Sequence, residues 1–462
     1  MMKQKKPLRS DEIVVTPSYV LISKSVLPLK VAQGLTTFET DTDPIVLAES
    51  YGTLYVKMPR YFFSKKDLEK FGVVNYRQSK KDYSFDDSVD MSLKPGISVR
   101  KNQKEAWEAL KEATHGILNL ACGKGKTFLA LNKIADSRTR TLIVAPQVAH
   151  LKNWELEIKK FFDFTGKIGW IRGPKCQAGD IVFATVQTLA KDPEKFSNFL
   201  EDNRIGMCIF DECHCMSARY FSKAADIIQS GVRIGLSATP NRKDRNEGIF
   251  RAHVGPVFYS DTEQELVPTV HVVQTLIDEL EAGRALGSET HIARLRNYLV
   301  EHPDRNELIC LLIDKKLKEG RTVYVLSHSV DHVEYLASQF ENSTFIHGGV
   351  SADKRVDLLN KGNPVIATIA IGREAYNRVD LDTLFIVTPF AADSHSAITL
   401  EQSVGRILRA SPNKLDPEVF LFRDPPVNGM LNGMLRSVVR ESKRRGYKVI
   451  DEAQEIRRRH FD

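Results

Sequence analysis

Residues 116–127 read Gly116-Ile117-Leu118-Asn119-Leu120-Ala121-Cys122-Gly123-Lys124-Gly125-Lys126-Thr127. The apolar run Gly116–Leu120 has the length and bounds of a short buried strand, and Gly125–Ala135 has the length of a helix. A strand, a glycine-rich turn and a helix opening, in that order, are the context a phosphate-binding loop needs. Gly123 and Gly125 let backbone N–H groups approach phosphate oxygens. Lys126 supplies a point charge to the outer phosphates, and Thr127 offers a hydroxyl to Mg2+. Leu120 stands where such a loop usually has its first glycine. Gly123, Lys124, Gly125, Lys126 and Thr127 are the candidate nucleotide-binding residues.

The same alternation continues outward from this loop. Thr141–Ala145, Asp180–Ala184, Cys208–Phe210 and Arg233–Leu236 are further short apolar strands, separated by helix-length stretches such as Val148–Phe162. Strands alternating with helices imply a doubly wound parallel sheet. The pattern restarts at Thr322–Leu326, Thr344–Ile346, Val365–Ala367, Thr383–Val387 and Val419–Phe422, so two α/β domains in series are expected. Their join falls near Asp261–Thr269, giving domains 91–265 and 266–462. Gly283–Asp304 reads as a polar, helical approach to the second sheet, and Arg436–His460 as a basic helix or tail. Residues 1–90 differ. Short β-rich runs at Glu12–Val15, Tyr19–Ser23, Ile45–Leu47 and Thr53–Val56 and a helix at Ser64–Lys70 suggest a small α+β domain, closed by a polar linker at Asp82–Asp90.

Composition agrees with several soluble domains. The chain has 462 residues, 42% hydrophobic and 27% charged, which excludes a disordered, collagen-like or membrane-embedded chain. Lys and Arg number 66 against 59 Asp and Glu, a net charge of +7 that allows a polyanionic partner without requiring one. Six cysteines are too few for a disulfide framework. Cys213 and Cys215 flank His214, but no second Cys/His pair stands at zinc-ligand spacing, so no structural zinc is expected. The basic N-terminus lacks the apolar run of a signal peptide, and no stretch is long and apolar enough to cross a membrane. A reducing, cytosol-like compartment is expected.

Three further motifs follow the loop. Asp211-Glu212-Cys213-His214 comes directly after the strand Cys208–Phe210. A carboxylate at the end of a strand neighbouring the phosphate loop holds Mg2+ through water, and one beside it polarises the attacking water. Asp211 takes the first role and Glu212 the second. Ser237-Ala238-Thr239 ends another strand, where Ser237 and Thr239 are placed to hydrogen-bond toward the carboxylates. Gln402-Ser403-Val404-Gly405-Arg406-Ile407-Leu408-Arg409 puts Gln402, Arg406 and Arg409 near one helical face. Guanidinium groups from a separate domain are suited to act as arginine fingers.

Phosphate loop, Asp-Glu-Cys-His, Ser-Ala-Thr and Gln-x-x-Gly-Arg-x-x-Arg, in that order, resemble the superfamily 2 DExH-box helicases over roughly residues 95–425. The resemblance implies two tandem RecA-like domains, ATP and Mg2+ as cofactors, and a nucleic-acid partner. It places Arg100 and Gln103 at the family's adenine-reading position. Pro146 and Gln147, with Thr185 and Gln187, match nucleic-acid-contacting loops of the first domain, and His347, Gly348 and Thr368 match those of the second. Ile371–Asn377 departs from the family pattern, with Ala375 and Asn377 where many relatives carry Gly and Asp. His214 in place of Asp shifts the reading from RNA helicases toward DNA translocases. Leu120–Gly123, Val254–Val257, Glu265–Pro268, Asp382–Leu384 and Thr388-Pro389 are similar to tailed-phage branch-migration helicases and to the eukaryotic repair and transcription helicase that opens promoters.

The implied activity is ATP-driven, 3′→5′ remodelling of branched or forked DNA in replication, recombination or repair, in host cytoplasm if phage-encoded. The motor unit is expected to be a monomer, with replication or recombination proteins as further partners. An RNA helicase and a non-unwinding, ATP-switched clamp stay open as alternatives. Tyr51, Tyr55, Tyr61, Phe62 and Phe63 lie among Lys57, Arg60, Lys65 and Lys66. They either stack on unpaired bases at a branch or fill the core of the small domain. The basic C-terminal run either contacts phosphates or is a solvated helix face. Trp154 and Trp170 read as packing residues.

Overall fold

The computed structural model describes residues 12–451 apart from 41–42, 77–87, 122, 214–215, 217, 239–246, 265, 276, 287–288, 290, 351–353, 355–356, 359–360, 373–377, 391–399, 401–402, 410, 412–413 and 425–428. It divides into two units, Met1–Thr262 and Glu263–Asp462.

The first unit begins with strands β1 (Glu12–Val15), β2 (Tyr19–Ser23), β3 (Thr37–Phe38), β4 (Ile45–Val46), β5 (Glu49–Tyr51), β6 (Tyr55–Pro59) and β7 (Val73–Tyr76). Five of them form a sheet in the order β5-β6-β2-β1-β7, and β3 pairs with β4 as a separate ribbon. The helix Lys65–Phe71 starts where Ser64 caps it, the Ser64 hydroxyl accepting the Asp67 N–H at 3.2 Å. Ile13, Val15, Val20, Ile22, Val56, Met58 and Leu68 fill this small core, with Phe62 and Phe63 packed against it. Tyr61 stacks on His115, ring centroids 4.4 Å apart, and its N–H donates to the Ala252 carbonyl at 2.9 Å. Three of the five aromatics are thus engaged in packing, whereas Tyr51 is exposed.

Strands β8 (Met91–Leu93), β9 (His115–Leu120), β10 (Thr141–Ala145), β11 (Phe162–Phe164), β12 (Ile168–Arg172), β13 (Lys175–Cys176), β14 (Ile181–Thr185), β15 (Met207–Phe210), β16 (Val232–Ser237) and β17 (Val257–Asp261) follow. β8 pairs with β11, and the rest make one sheet in the order β13-β12-β14-β10-β15-β16-β9-β17. Its pairs are parallel except the β12–β13 hairpin. Alternate residues point to opposite faces. Leu142, Val144, Cys208 and Phe210 enter one apolar cluster, and Ile143, Ala145, Met207 and Ile209 the other. Both faces are covered, which is why these strands are uninterrupted apolar runs.

The second unit repeats this design with β18 (Thr269–Gln274), β19 (Val323–Ser327), β20 (Thr344–Ile346), β21 (Val365–Thr368), β22 (Thr383–Ile386), β23 (Glu418–Arg423) and β24 (Lys448–Asp451). The order is β20-β21-β19-β22-β23-β18-β24 and every pair is parallel. Tyr324 and Leu326 face one cluster, Val323 and Val325 the other. The chain is therefore α/β, with two parallel-sheet units and a small α+β portion at the start.

One expectation is corrected here. The basic run from Arg436 is not a single helix or tail. The helix stops at Arg444 (its span is Gly429–Arg444), and in the turn after it Gly446, whose φ of +78° is left-handed, leads the chain back into β24. The edge strand Lys448–Asp451 is too short and too charged at its ends to announce itself, and pairing with β18 decides it. Residues 452–460 and most of the proposed linker, 82–87, lie outside the described residues. No helix among the described residues is long and apolar enough to cross a membrane.

Candidate nucleotide-binding site

Strand β9 delivers the chain into the loop, and the helix Lys126–Ser137 receives it. Gly123 and Gly125 have φ of +87° and +81°, which glycine adopts without steric penalty. Gly125 is also pressed by Gln103, whose side-chain nitrogen would collide with any Cβ there. Gln103 is buried. Its amide donates to the Lys124 carbonyl at 2.9 Å and its oxygen accepts the Arg100 N–H at 3.2 Å. A carboxamide has two donors and two acceptor lone pairs, so one of each remains for a ligand. Arg100 is exposed. Lys126 is buried, with Nζ donating to the Leu120 carbonyl at 3.0 Å, while Lys124 pairs with Asp261 of β17 at 2.5 Å. The helix N-terminus adds backbone donors and a positive end to the same loop.

Asp211 follows β15 and is 7% exposed. Its N–H donates to the Val144 carbonyl at 2.8 Å, and Oδ2 accepts the Trp154 indole N–H at 2.8 Å. Burial, then the neighbouring Glu212 carboxylate, pushes Asp211 up to about 7, against the pull of Trp154 and Lys126. Glu212 has φ of +46°, a left-handed conformation that strains a non-glycine residue. Cys213 is buried in the core, and His214 lies outside the described residues.

The sheet order refines the expected adjacency. β15 is not the direct neighbour of β9, because β16 lies between them. Ser237, fully buried at the end of β16, is thus on the strand next to the loop, and Thr239 lies outside the described residues. Asn119 ties the ends together, an arrangement the sequence motifs do not announce. With its oxygen accepting the Ser260 hydroxyl at 2.8 Å, its nitrogen donates to the carbonyls of Ser237 and Ala238 at 3.2 and 3.0 Å. Trp154 does more than pack. It is buried, and a buried indole N–H requires an acceptor, which here is Asp211.

The first four of the remaining site residues lie at or just after strand ends of the first sheet. Pro146 and exposed Gln147 follow β10, and Gln147 precedes the helix Val148–Phe161 that carries Trp154. Thr185 caps the short helix Val186–Leu189, which includes Gln187, and its hydroxyl lies 2.8 Å from that of Thr188. In the second unit His347 follows β20, accepts the Gly349 N–H at 3.2 Å and precedes exposed Gly348, and buried Thr368 ends β21. Residues 403–407 are helical, with Arg406 buried and Arg409 half-buried. Gln402 and the departing segment 373–377 lie outside the described residues.

Residues 96–242 match the family described as Type III restriction enzyme, res subunit. Over 362 residues, 72% of this chain and 53% of the relative, the chain is 25% identical to the General transcription and DNA repair factor IIH helicase/translocase subunit XPB of Encephalitozoon cuniculi. It is also 32% identical over 174 residues to the DNA 3'-5' translocase XPB2 of Sulfurisphaera tokodaii, 38% of each chain. It spans about half or less of the length of these curated relatives. A solved structure, the ATP-dependent Type ISP restriction-modification enzyme LlaBIII bound to DNA, shares the fold with a TM-score of 0.52. That likeness covers 77% of this chain and 31% of the other at 15% identity.

The donor set fits Mg2+. Its members, the Thr127 hydroxyl at the start of the loop helix and the buried Asp211 carboxylate, would both offer oxygens. Hard oxygen donors completed by substrate phosphates and water are what Mg2+ takes. A buried carboxylate whose charge is disfavoured by its surroundings is also one that a nearby dication stabilises.

Proposed function

We propose that the chain is an ATP-dependent DNA helicase or translocase that remodels branched or forked DNA. The observation that carries the reading is the placement of Lys126 and Thr127, Ser237, and Asp211 and Glu212 at or beyond the C-terminal ends of three adjacent parallel strands, β9, β16 and β15. Ligands of open parallel sheets sit along that edge. Gly123, Lys124, Gly125 and Lys126 hold the phosphates, and Gln103 with Arg100 reads the base. Thr127 and Asp211 hold Mg2+, which when bound neutralises phosphate charge. Glu212 orients the attacking water, and Gln402, Arg406 and Arg409 complete the catalytic set. Ser237 and Thr239 couple hydrolysis to strand contacts at Pro146, Gln147, Thr185, Gln187, His347, Gly348 and Thr368. The relatives named as DNA translocases support DNA as the partner. The proposal further gives the chain a role in replication, recombination or repair and makes residues 1–90 the branch-reading portion.

The test is Lys126→Ala together with a substrate panel of linear, forked, three-way and four-way DNA and of RNA. Loss of DNA-stimulated ATP hydrolysis in the variant is expected, and undiminished hydrolysis overturns the assignment. Stronger stimulation by RNA than by any DNA makes the chain an RNA helicase. Hydrolysis with no strand displacement on any substrate makes it a clamp.

A further inference from the structure

The helix Gly429–Arg444 carries its cations in two different states. Arg444 and Arg445, at its end, are both held by Glu441, Arg444 through 2.7 Å contacts to each carboxylate oxygen and Arg445 at 2.9 Å. Arg423 on β23 is clamped by Asp451 at 2.8 and 2.6 Å, and Asp424 is taken by Arg305 at 2.7 Å. Glu441, Asp451 and Asp424 are therefore all engaged. Arg436, Arg440 and Lys443 are different. All three are exposed, they recur at i, i+4 and i+7, and no carboxylate of the described residues pairs with them. Together with Arg423 they line an open groove of about 440 Å³ floored by Leu435 and Val439.

Like charges at i,i+4 and i,i+3 on a helix repel one another. Arg436 and Arg440 stand about 6 Å apart along the axis at 1.5 Å per residue, and Lys443 stands about 4.5 Å further on. An anion that is itself a chain of closely spaced charges removes this repulsion, and each cation displaces a counterion from it. We infer that Arg436, Arg440 and Lys443 form a backbone-phosphate site for a nucleic-acid strand on the second unit, outside the loops that match the family's nucleic-acid contacts. Leu435 and Val439 supply an apolar wall and Asn432 a single carboxamide, so most of the polar contact the groove offers is cationic and suited to phosphates, which position a strand without specifying its sequence. This inference rests on the proposed DNA partner.

The experiment measures binding of fluorescein-labelled single-stranded DNA to the full chain across a salt series. Arg436→Gln, Arg440→Gln and Lys443→Gln are combined in one variant, and Arg444→Gln is the control on a cation already paired. The combined variant is expected to lower the slope of log affinity against log salt by about two, at about 0.7 per phosphate contact on a single strand, and to bind about tenfold more weakly. Hydrolysis without DNA stays unchanged, and Arg444→Gln keeps the wild-type slope. On the unaltered protein, bound DNA is expected to protect Lys443 from amine acetylation, read by mass spectrometry, while exposed Lys70 of the first unit reacts as before. An unchanged slope, or equal acetylation of Lys443 with and without DNA, overturns the site and leaves the helicase reading standing. Absence of any DNA binding by the wild-type chain overturns both.

Discussion

The Trp154 indole N–H donates to Asp211 Oδ2 at 2.8 Å, joining the helix that follows Pro146-Gln147 to the carboxylate assigned to the metal. A hydrogen bond to a charged group contributes about 1.5–3 kcal/mol. Trp154→Phe keeps an aromatic ring and removes the donor. The expected result is a fall in kcat of at least about tenfold, a raised Mg2+ requirement and a smaller change in the KM for ATP. Steady-state hydrolysis with a Mg2+ titration checks it. A folded variant with wild-type kcat and Mg2+ dependence would show that the bond serves packing alone.

Glu212 holds a left-handed backbone at φ +46°. That conformation costs an L-residue about 1–2 kcal/mol, against about 0.5–1 kcal/mol for the extra freedom of glycine in the unfolded chain. Glu212→Gly is expected to leave stability unchanged or raise it slightly while hydrolysis is lost. Glu212→Gln should lose hydrolysis and still bind nucleotide. Thermal melting and nucleotide binding separate the two effects, and a clearly lower Tm for the glycine variant would contradict the strain.

Gly125→Ala places a methyl group against Gln103 at a φ of +81°. The alanine pushes Gln103 off the Lys124 carbonyl and strains the loop by about 1 kcal/mol or more. The expected outcome is a raised KM for ATP and reduced preference for ATP over GTP. Unaltered base preference would remove Gln103 from base reading.

His332 is buried in the second unit, Nδ1 lying 2.9 Å from the Ser327 hydroxyl and Nε2 3.0 Å from Asn306 Oδ1. Burial, and then the Arg305 cation, holds it down to about 3, against an ordinary 6.5. Below 6.5 the unfolded chain takes up a proton that the folded chain refuses. Stability is therefore complete above that pH and falls as pH drops toward 3, by up to about 1.4 kcal/mol per pH unit. Urea unfolding at about pH 7 and about pH 5 is expected to differ less in His332→Gln than in wild type. Equal pH dependence in the two proteins would assign the acid sensitivity to other groups.

Local pattern was enough for most of the two parallel sheets. The phosphate loop, the buried strands β10, β14, β15 and β16 and the restart of the α/β alternation are legible because each depends on residues close in sequence. Apolar runs make central strands, and glycines at 123 and 125 make the turn. The edge strand β24 escaped that reading because its four residues are stabilised by β18 and not by their own pattern. The aromatics of the first 90 residues were ambiguous for a similar reason, since stacking on His115 depends on a partner over fifty residues away.

The sequence by itself determined that a strand, a glycine turn and a helix carry Lys126 and Thr127, that Asp211 and Glu212 follow another strand, and that these strands belong to parallel sheets, because composition and spacing decide strand, turn and helix locally. Only the tertiary structure decided that β16 separates β9 from β15, that Asn119 links the ends of β9, β16 and β17, and that Trp154 holds Asp211. It also decided which cations of the C-terminal helix are neutralised and which face a groove. Strand order and side-chain pairing join residues far apart along the chain, and their free energy exists only once the sheet has assembled.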